Sequence, residues 1–333
     1  MPELRKDPIV DRWVIIASNR AQRPNAFVTS RAWEGAEPCP FCEGHEKETP
    51  GETFAFRRPQ SVPDGPGWRV RVVPNKFPSL AGLGGEIARH CEGLCESIEA
   101  AGAHEVIIES PRHIESVSEM TPEAVAEVFL AYRQRLLHWK QDPRLRYAVV
   151  FKNVGAAAGA SLQHTHSQLM ALPIVPTSVR EEIAGAAEFF RLRGRCVYCH
   201  LIDEELTAGR RVVLQAPRLV AFAPFASRFP FETWILPRTH VSHFEDAADD
   251  LLEDLAAMVR SVVARIETAS ARPAYNYFLH TSPFDTGDLG HYHWHIEVIP
   301  ALTQAAGFEW GSGCFVNPVP PEDAAAFLRG ANV

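Results

Sequence analysis

The stretch HTHSQ at positions 164–168 sets two histidines two residues apart, with a glutamine two residues further on. On an extended strand alternate side chains share a face, so His164 and His166 point the same way. One histidine can then bind a metal while its neighbour meets a substrate beside it. A neutral imidazole is available near pH 7 and is a competent nucleophile once its other ring nitrogen is held, for which a backbone carbonyl suffices. Just upstream, the run NVGAAAGAS from Asn153 to Ser161 is a strand end followed by small residues. Small side chains let backbone N–H groups approach a phosphate closely. Ser161 and Gln168 can donate to non-bridging phosphate oxygens as charge redistributes. The run lacks the G-x-x-x-x-G-K-[ST] pattern of a P-loop, and alone it reads as a flexible turn. Beside H-x-H-x-Q it points to phosphate chemistry, with His166 attacking and Ser161 and Gln168 assisting.

A second alternate-histidine pair, His293 and His295, lies near the other end of the chain. No small-residue run precedes it, and Glu297 stands where the first cluster has Gln168. A carboxylate there would repel a phosphate. The two clusters therefore read as one catalytic and one structural.

Four of the seven cysteines form two C-x-x-C pairs, Cys39/Cys42 and Cys196/Cys199. Such spacing in a protein without secretory features argues for metal or redox chemistry. Zinc prefers four N/S ligands in a tetrahedron, two of which a C-x-x-C turn supplies. Matching order along the chain nominates Cys39, Cys42, His113 and His164 for one ion, and Cys196, Cys199, His240 and His293 for another. Four protein ligands close the shell, so two zinc ions per chain would be structural. The alternatives are a redox pair or packed thiols for the cysteines and ordinary histidines at 113 and 240. His104, His243, His280 and His291 compete for the same ligand roles. Cys91, Cys95 and Cys314 read as packing residues.

The elements that must position these groups are mostly strands. Runs rich in β-branched and aromatic residues cover 12–18, 68–75, 104–110, 147–153, 166–173, 210–217, 219–225, 231–238, 274–281 and 294–301. Three long helical patterns stand among them: one capped by Thr121 with Pro122 at its first position, one from Ser178 ending at Gly194, and one over 249–268. A short helix closes the chain. Each half runs C-x-x-C, strands, a histidine shortly after a proline, a long helix, a strand and then H-x-H opening another strand. This is an internal repeat at domain scale, with a boundary near residue 176.

The 333 residues suffice for about two domains, and 46% of them are hydrophobic. A net charge of −8 disfavours nucleic acid and acidic membrane surfaces as partners. The first residues lack the apolar segment of a signal peptide, and no apolar run approaches the ~20 residues of a membrane helix, which predicts a cytoplasmic protein.

As a set, DRWVIIASNRAQRP, CPFC, RVVPNKFP, ESPRH, GASLQHTHSQ, FPFETWILPRTH and GFEWGSGCFVNPVPPEDAA resemble the galactose-1-phosphate uridylyltransferases, the two-domain branch of the histidine-triad superfamily. The resemblance spans nearly the whole chain. It implies an α+β fold of two tandem histidine-triad-like domains, mainly antiparallel sheets with flanking helices. Residues 1–175 would form the catalytic domain with the first zinc site, and 176–333 a domain with the second. It also implies ping-pong chemistry: His166 attacks the α-phosphate of a UDP-sugar, releases a sugar 1-phosphate and hands its nucleotidyl group to a second sugar 1-phosphate. Matched motif by motif, Arg20 and Arg23 would contact phosphate, and Asn75, Asn153, Gly159, Ser161 and Gln168 nucleotide and phosphate. Asn317 would help to hold the sugar phosphate, and a homodimer is implied.

Two departures matter. The usual H-P-H-G-Q reads H-T-H-S-Q, and the second cysteine–histidine set resembles a zinc-bearing subgroup rather than the Glu/His metal site of the best-known members. That subgroup includes a plant-type ADP-glucose phosphorylase, which transfers AMP to inorganic phosphate. The leading expectation is a hexose-1-phosphate uridylyltransferase. Its rivals are an ADP-glucose phosphorylase or adenylyltransferase with the same nucleophile, and a histidine-triad hydrolase with water as acceptor. From other classes come a zinc-ribbon nucleic-acid-binding protein, which the absence of Lys/Arg clusters beside either C-x-x-C disfavours, and a purely structural zinc scaffold.

Overall fold

A computed structural model describes residues 2–22, 38–269 and 271–333. The first half contributes β1 (Glu3–Lys6), β2 (Trp13–Ile16), β3 (Phe54–Arg57), β4 (Trp68–Pro74), β5 (Arg89–Glu92), β6 (Cys95–Ile98), β7 (Ala103–Ile108), α1 (Pro122–Lys140), β8 (Tyr147–Val154) and β9 (His166–Leu172). The second contributes α2 (Thr177–Arg193), α3 (Val197–Ala208), β10 (Val212–Gln215), β11 (Leu219–Phe222), β12 (Thr233–Pro237), α4 (Asp249–Ala269), β13 (Tyr275–His280), β14 (His295–Pro300), α5 (Gly307–Ser312), β15 (Phe315–Asn317) and α6 (Pro321–Gly330). The fold is α+β. Thr121 caps α1, its side chain accepting from the Ala124 N–H at 3.3 Å, with Pro122 at the first turn. Gly194 ends α2 in the left-handed conformation, φ 70°.

Ten strands form one antiparallel sheet in the order β10-β11-β12-β14-β13-β8-β9-β7-β4-β3. Reading outward from the central β13/β8 pair, each half repeats the same five-strand order. Phe151 faces Phe278 across that pair, and the register Phe151↔Gln168 in one half matches Phe278↔Glu297 in the other. Lys152 thus corresponds to Leu279, Thr165 to Trp294 and Ser167 to Ile296. The two halves share one hydrophobic core, in which Val128, Phe129 and Leu136 of α1 and Leu255, Val259 and Val262 of α4 meet the sheet. The opposite face carries His166, Gln168, Asn153 and their counterparts.

The chain order does not divide cleanly at residue 176. β1 and β2 form a separate sheet with β15 from the other end of the chain, Ile16 pairing with Asn317, and Ile9 packs with Ala186, Cys196 and Val197. Residues 2–17 therefore pack on the second half. Helix α3 is absent from the sequence reading, and it makes the second C-x-x-C a helix start: Cys196 is its N-cap and Cys199 lies in its first turn.

Candidate active site

Cys39, Cys42, His113 and His164 converge, with one ligand atom from each within 4.8 Å of the others. The His164 Nδ1 atom is 3.6 Å from both sulfurs, and Cys42 Sγ is 3.6 Å from His113 Nδ1. Ligands about 2.0–2.3 Å from an ion at tetrahedral angles stand roughly 3.3–3.8 Å apart. The far nitrogen of His164, Nε2, is held 2.7 Å from the Ser110 carbonyl, which fixes the tautomer that leaves Nδ1 a lone pair. Burial pushes the His164 imidazole down to about 4, so it stays in the neutral ligand form.

Cys196, Cys199, His240 and His293 repeat the arrangement. Cys199 Sγ stands 3.5 Å from His240 Nδ1 and 3.7 Å from His293 Nδ1. Their Nε2 atoms are held by the carbonyls of Leu289 and Pro237, at 3.1 and 2.8 Å. A hydrogen bond with Cys196, then those to His293 and His240, draw the Cys199 thiol toward the thiolate that zinc requires. In donor type, spacing and supporting hydrogen bonds, both sets fit zinc.

His166 opens β9 beside the first set. Its Nδ1 lies 2.7 Å from the His164 carbonyl, which can only accept, so Nδ1 carries the proton and Nε2 the lone pair. The residue is 7% exposed, and burial lowers its pKa, which keeps the imidazole neutral. Phe41 packs edge-on at 5.2 Å between ring centres.

Behind this strand lies a buried polar layer that the sequence reading missed. The Lys152 ammonium donates to Glu109 Oε2 at 2.6 Å, to Thr165 Oγ1 at 2.8 Å and to the His166 carbonyl at 3.1 Å. Ser167 donates to the other Glu109 oxygen and meets the Tyr132 hydroxyl, which also lies 2.7 Å from that of Tyr277. These groups clamp the backbone on both sides of His166.

The remaining predicted contacts fare differently. Gln168 lies on the His166 face, half-buried; its Oε1 accepts from Asn75 Nδ2 at 3.3 Å and is 2.7 Å from His104 Nε2. Asn75 therefore faces Gln168, and its Oδ1 is taken by the Phe77 N–H at 2.8 Å. Asn153 Oδ1 accepts from Asn276 Nδ2 at 2.7 Å, and the same amide donates to the Ala158 carbonyl at 2.9 Å. Asn276, unnoticed in the sequence, thus ties the second half to the small-residue loop. Ser161 is exposed at the end of that loop.

Gly159 and Asn317 have their polar groups engaged within the fold, whereas Arg20 has no side-chain partner among the described residues. The amides of Ala158, Gly159 and Ala160 turn inward to the Ala156 and Gly155 carbonyls, so the Gly159 N–H is not presented to a phosphate. What Gly159 supplies is a left-handed turn, φ 84°. Asn317 is fully buried: Nδ2 donates to the Ser227 and Phe229 carbonyls at 3.0 and 3.1 Å, and Oδ1 accepts from the Val319 N–H. It braces a turn and leaves nothing for a sugar phosphate. Arg20 sits on an exposed turn after β2 and makes no side-chain hydrogen bond or ion pair among the described residues; Arg23 lies outside them.

Nor does the second cysteine–histidine set replace a Glu/His group, because the chain has both. Glu182, His280, His295 and Glu297 bring four ligand-type atoms within 4.8 Å of one another. Glu182 accepts from His280 at 2.8 Å and from the Tyr292 hydroxyl at 3.1 Å, and Arg228 pairs with Glu297. His295 corresponds to His166, down to an Nδ1 contact of 3.1 Å with the His293 carbonyl. Yet His295 is 0% exposed, with the His280 ring stacked on it at 4.6 Å. No phosphate can reach its Nε2 in this packing.

The family model "Galactose-1-phosphate uridyl transferase, N-terminal domain" matches residues 1–176, and "Domain of unknown function (DUF4921)" matches 97–328. The chain is 38% identical to an ADP-glucose phosphorylase of Arabidopsis thaliana, over 98% of this chain and 92% of that protein. It is 26% identical to a galactose-1-phosphate uridylyltransferase of Thermotoga maritima, over 100% and 99% of the two. The crystal structure of the Arabidopsis thaliana ADP-glucose phosphorylase with bound ADP-glucose superposes with a TM-score of 0.85 at 35% identity, covering 100% of this chain and 99% of that one.

Proposed function

The chain belongs to the galactose-1-phosphate uridylyltransferase family, and from that premise we propose that it transfers nucleotidyl groups through a covalent bond to His166. As a member it is an enzyme of the hexose-1-phosphate uridylyltransferase type, acting on a nucleotide sugar. The observation that carries the assignment of His166 is its Nδ1–H bond to the His164 carbonyl, which leaves Nε2 as a neutral, directed nucleophile.

In this reading Nε2 attacks the α-phosphorus, the bond from phosphorus to the bridging oxygen breaks, and sugar 1-phosphate leaves with that electron pair. The imidazole gains positive charge as the N–P bond forms, which strengthens its Nδ1–H bond to the carbonyl. Gln168 donates to a non-bridging oxygen, and Ser161 assists from the loop. Asn75 holds Gln168, and Asn153 shapes the loop through Asn276. In the second half-reaction an acceptor phosphate oxygen attacks the same phosphorus and frees His166. Each of the two cysteine–histidine sets would hold one zinc ion; with four protein ligands the ion supplies rigidity at a strand end.

A second donor is favoured by a specific observation, the 38% identity to an ADP-glucose phosphorylase. It requires the same nucleophile, with an adenylyl group carried and inorganic phosphate as acceptor. Separate assays decide between them. Formation of UDP-galactose from UDP-glucose and galactose 1-phosphate supports uridylyl transfer. Formation of ADP from ADP-glucose and phosphate supports the second reading, and turnover of neither sinks both. The reading includes a cytoplasmic homodimer, for which sedimentation and fractionation are the tests. No helix of the described residues is long and apolar enough to cross a membrane.

A further inference from the structure

His104 competes in the sequence for a metal-ligand role, yet it lies in neither cysteine–histidine set. It sits on β7, whose register places Val106 opposite Gln168 and His104 opposite Met170. Its two ring nitrogens have different neighbours. Nδ1 lies 3.2 Å from the backbone N–H of Ser79, a group that can only donate. Nδ1 must therefore accept, and in the neutral ring the proton resides on Nε2. That Nε2–H is 2.7 Å from Gln168 Oε1, and Asn75 Nδ2 stands 3.1 Å from Nε2, side by side with it as a second donor to the same oxygen.

The Asn75 side chain is oriented by the same logic. The Phe77 N–H claims Asn75 Oδ1 at 2.8 Å, so Asn75 Nδ2 is the end that faces Gln168 Oε1. Two backbone amides, at positions 77 and 79, thus fix two side chains so that both aim donors at one oxygen. A glutamine reversed about its terminal bond would set its NH2 against those donors. The Gln168 amide is held one way round, with Oε1 inward and its Nε2, on the face that carries His166, making no hydrogen bond among the described residues.

We propose that His104 is a positioning residue for nucleotidyl transfer: its Nε2–H locks the Gln168 amide so that Nε2 donates to the phosphoryl oxygen under attack by His166. The proposal rests on the reading of His166 as nucleophile. It adds a relay in which Ser79 sets the tautomer of His104, and His104 sets the orientation of Gln168. A free glutamine amide would divide its time between two orientations, one of which presents an oxygen to a phosphate and repels it. Locking removes that unproductive state before substrate arrives, at no cost in reorganisation during the reaction.

The test is a double-mutant cycle on the rate of adduct formation at His166, read by rapid quench with the nucleotide sugar that the wild type accepts. His104→Ala is expected to slow the maximal rate about 10-fold, a fraction of the ~10²–10³ lost with a whole oxyanion donor, while half-saturation changes under about twofold. In a Gln168→Ala background, His104→Ala should slow it by less than about twofold, because the residue it positions is gone. His104→Gln, which keeps an N–H near the position of Nε2, should recover most of the rate. Equal losses in both backgrounds, or no loss in either, would overturn the proposal. Should His104→Ala not fold, 15N shifts of the wild-type His104 ring decide: an Nε2–H tautomer upholds the relay and an Nδ1–H tautomer refutes it. Failure of the underlying reading looks different, since the wild type would then form no adduct at all.

Discussion

Lys152 and Glu109 make a pair with both side chains 0% exposed, 2.6 Å apart. Removing the ammonium alone, as in Lys152→Met, strands a carboxylate in the core. Breaking a buried pair from one side costs about 3–5 kcal/mol, whereas replacing both partners is often neutral. The second half shows that this position of the fold does not demand polarity. Leu279 corresponds to Lys152, Trp294 to Thr165 and Ile296 to Ser167, and all three are buried in hydrocarbon. Lys152→Met is therefore expected to lower unfolding free energy by about 3–5 kcal/mol, and Lys152→Met/Glu109→Gln by less than about 2 kcal/mol. Urea unfolding of the zinc-loaded protein measures both, with the slope checked for two-state behaviour. A single variant that loses under 1 kcal/mol, or a double variant that loses as much as the single, refutes the argument. Burial pushes the Glu109 carboxyl up, but the Lys152 charge and the Ser167 and Thr165 hydroxyls outweigh it and hold the pKa down. Its contribution is present above the usual carboxylate range and is lost as pH falls, so the single-variant deficit should shrink in acid.

Two further outcomes are expected. Cys199→Ala should lower zinc from two equivalents per chain to one, read by atomic emission after gel filtration, while adduct formation at His166 persists. His243 donates toward both Glu245, at 3.2 Å, and the Gly287 carbonyl, at 3.1 Å. Burial lowers its pKa, but the Glu245 carboxylate more than compensates and the net direction is upward. A raised histidine stabilises below its unfolded pKa of about 6.5 and loses that contribution as pH rises through the folded value. Wild type should therefore exceed His243→Asn in stability by more at pH ~5.5 than at pH ~8.5, and an equal gap at both would contradict the assignment.

Chemistry that needs fixed residue types at fixed spacing was legible in the sequence. Cysteine pairs and alternate histidines pointed to both cysteine–histidine groups that converge in the fold, because few side chains can serve zinc and strand alternation leaves few ways to present them. The repeated order of motifs carried the pseudo-symmetry, and Thr121-Pro122 and Gly194 marked helix ends through local backbone preferences. What escaped depends on partners distant in sequence. Lys152 and Asn153 look like the polar end of a strand, and only α1 and Glu109 make Lys152 a buried cation. Glu297 reads as a carboxylate that repels phosphate, whereas in the fold it is paired with Arg228, far away in sequence. Asn317 stands in a loop-like motif, but its amide is consumed by the carbonyls of Ser227 and Phe229. The pairing of β2 with β15 joins the two ends of the chain, which no local pattern records.

The central claim is that His166 carries the nucleotidyl group. Wild-type protein incubated with the accepted nucleotide sugar and no acceptor should gain the mass of one nucleoside monophosphate residue, acid-labile as a phosphoramidate is. Peptide mapping should place it on His166, and His166→Gly should gain nothing. An adduct on another residue, or one that still accumulates in His166→Gly, would contradict the account.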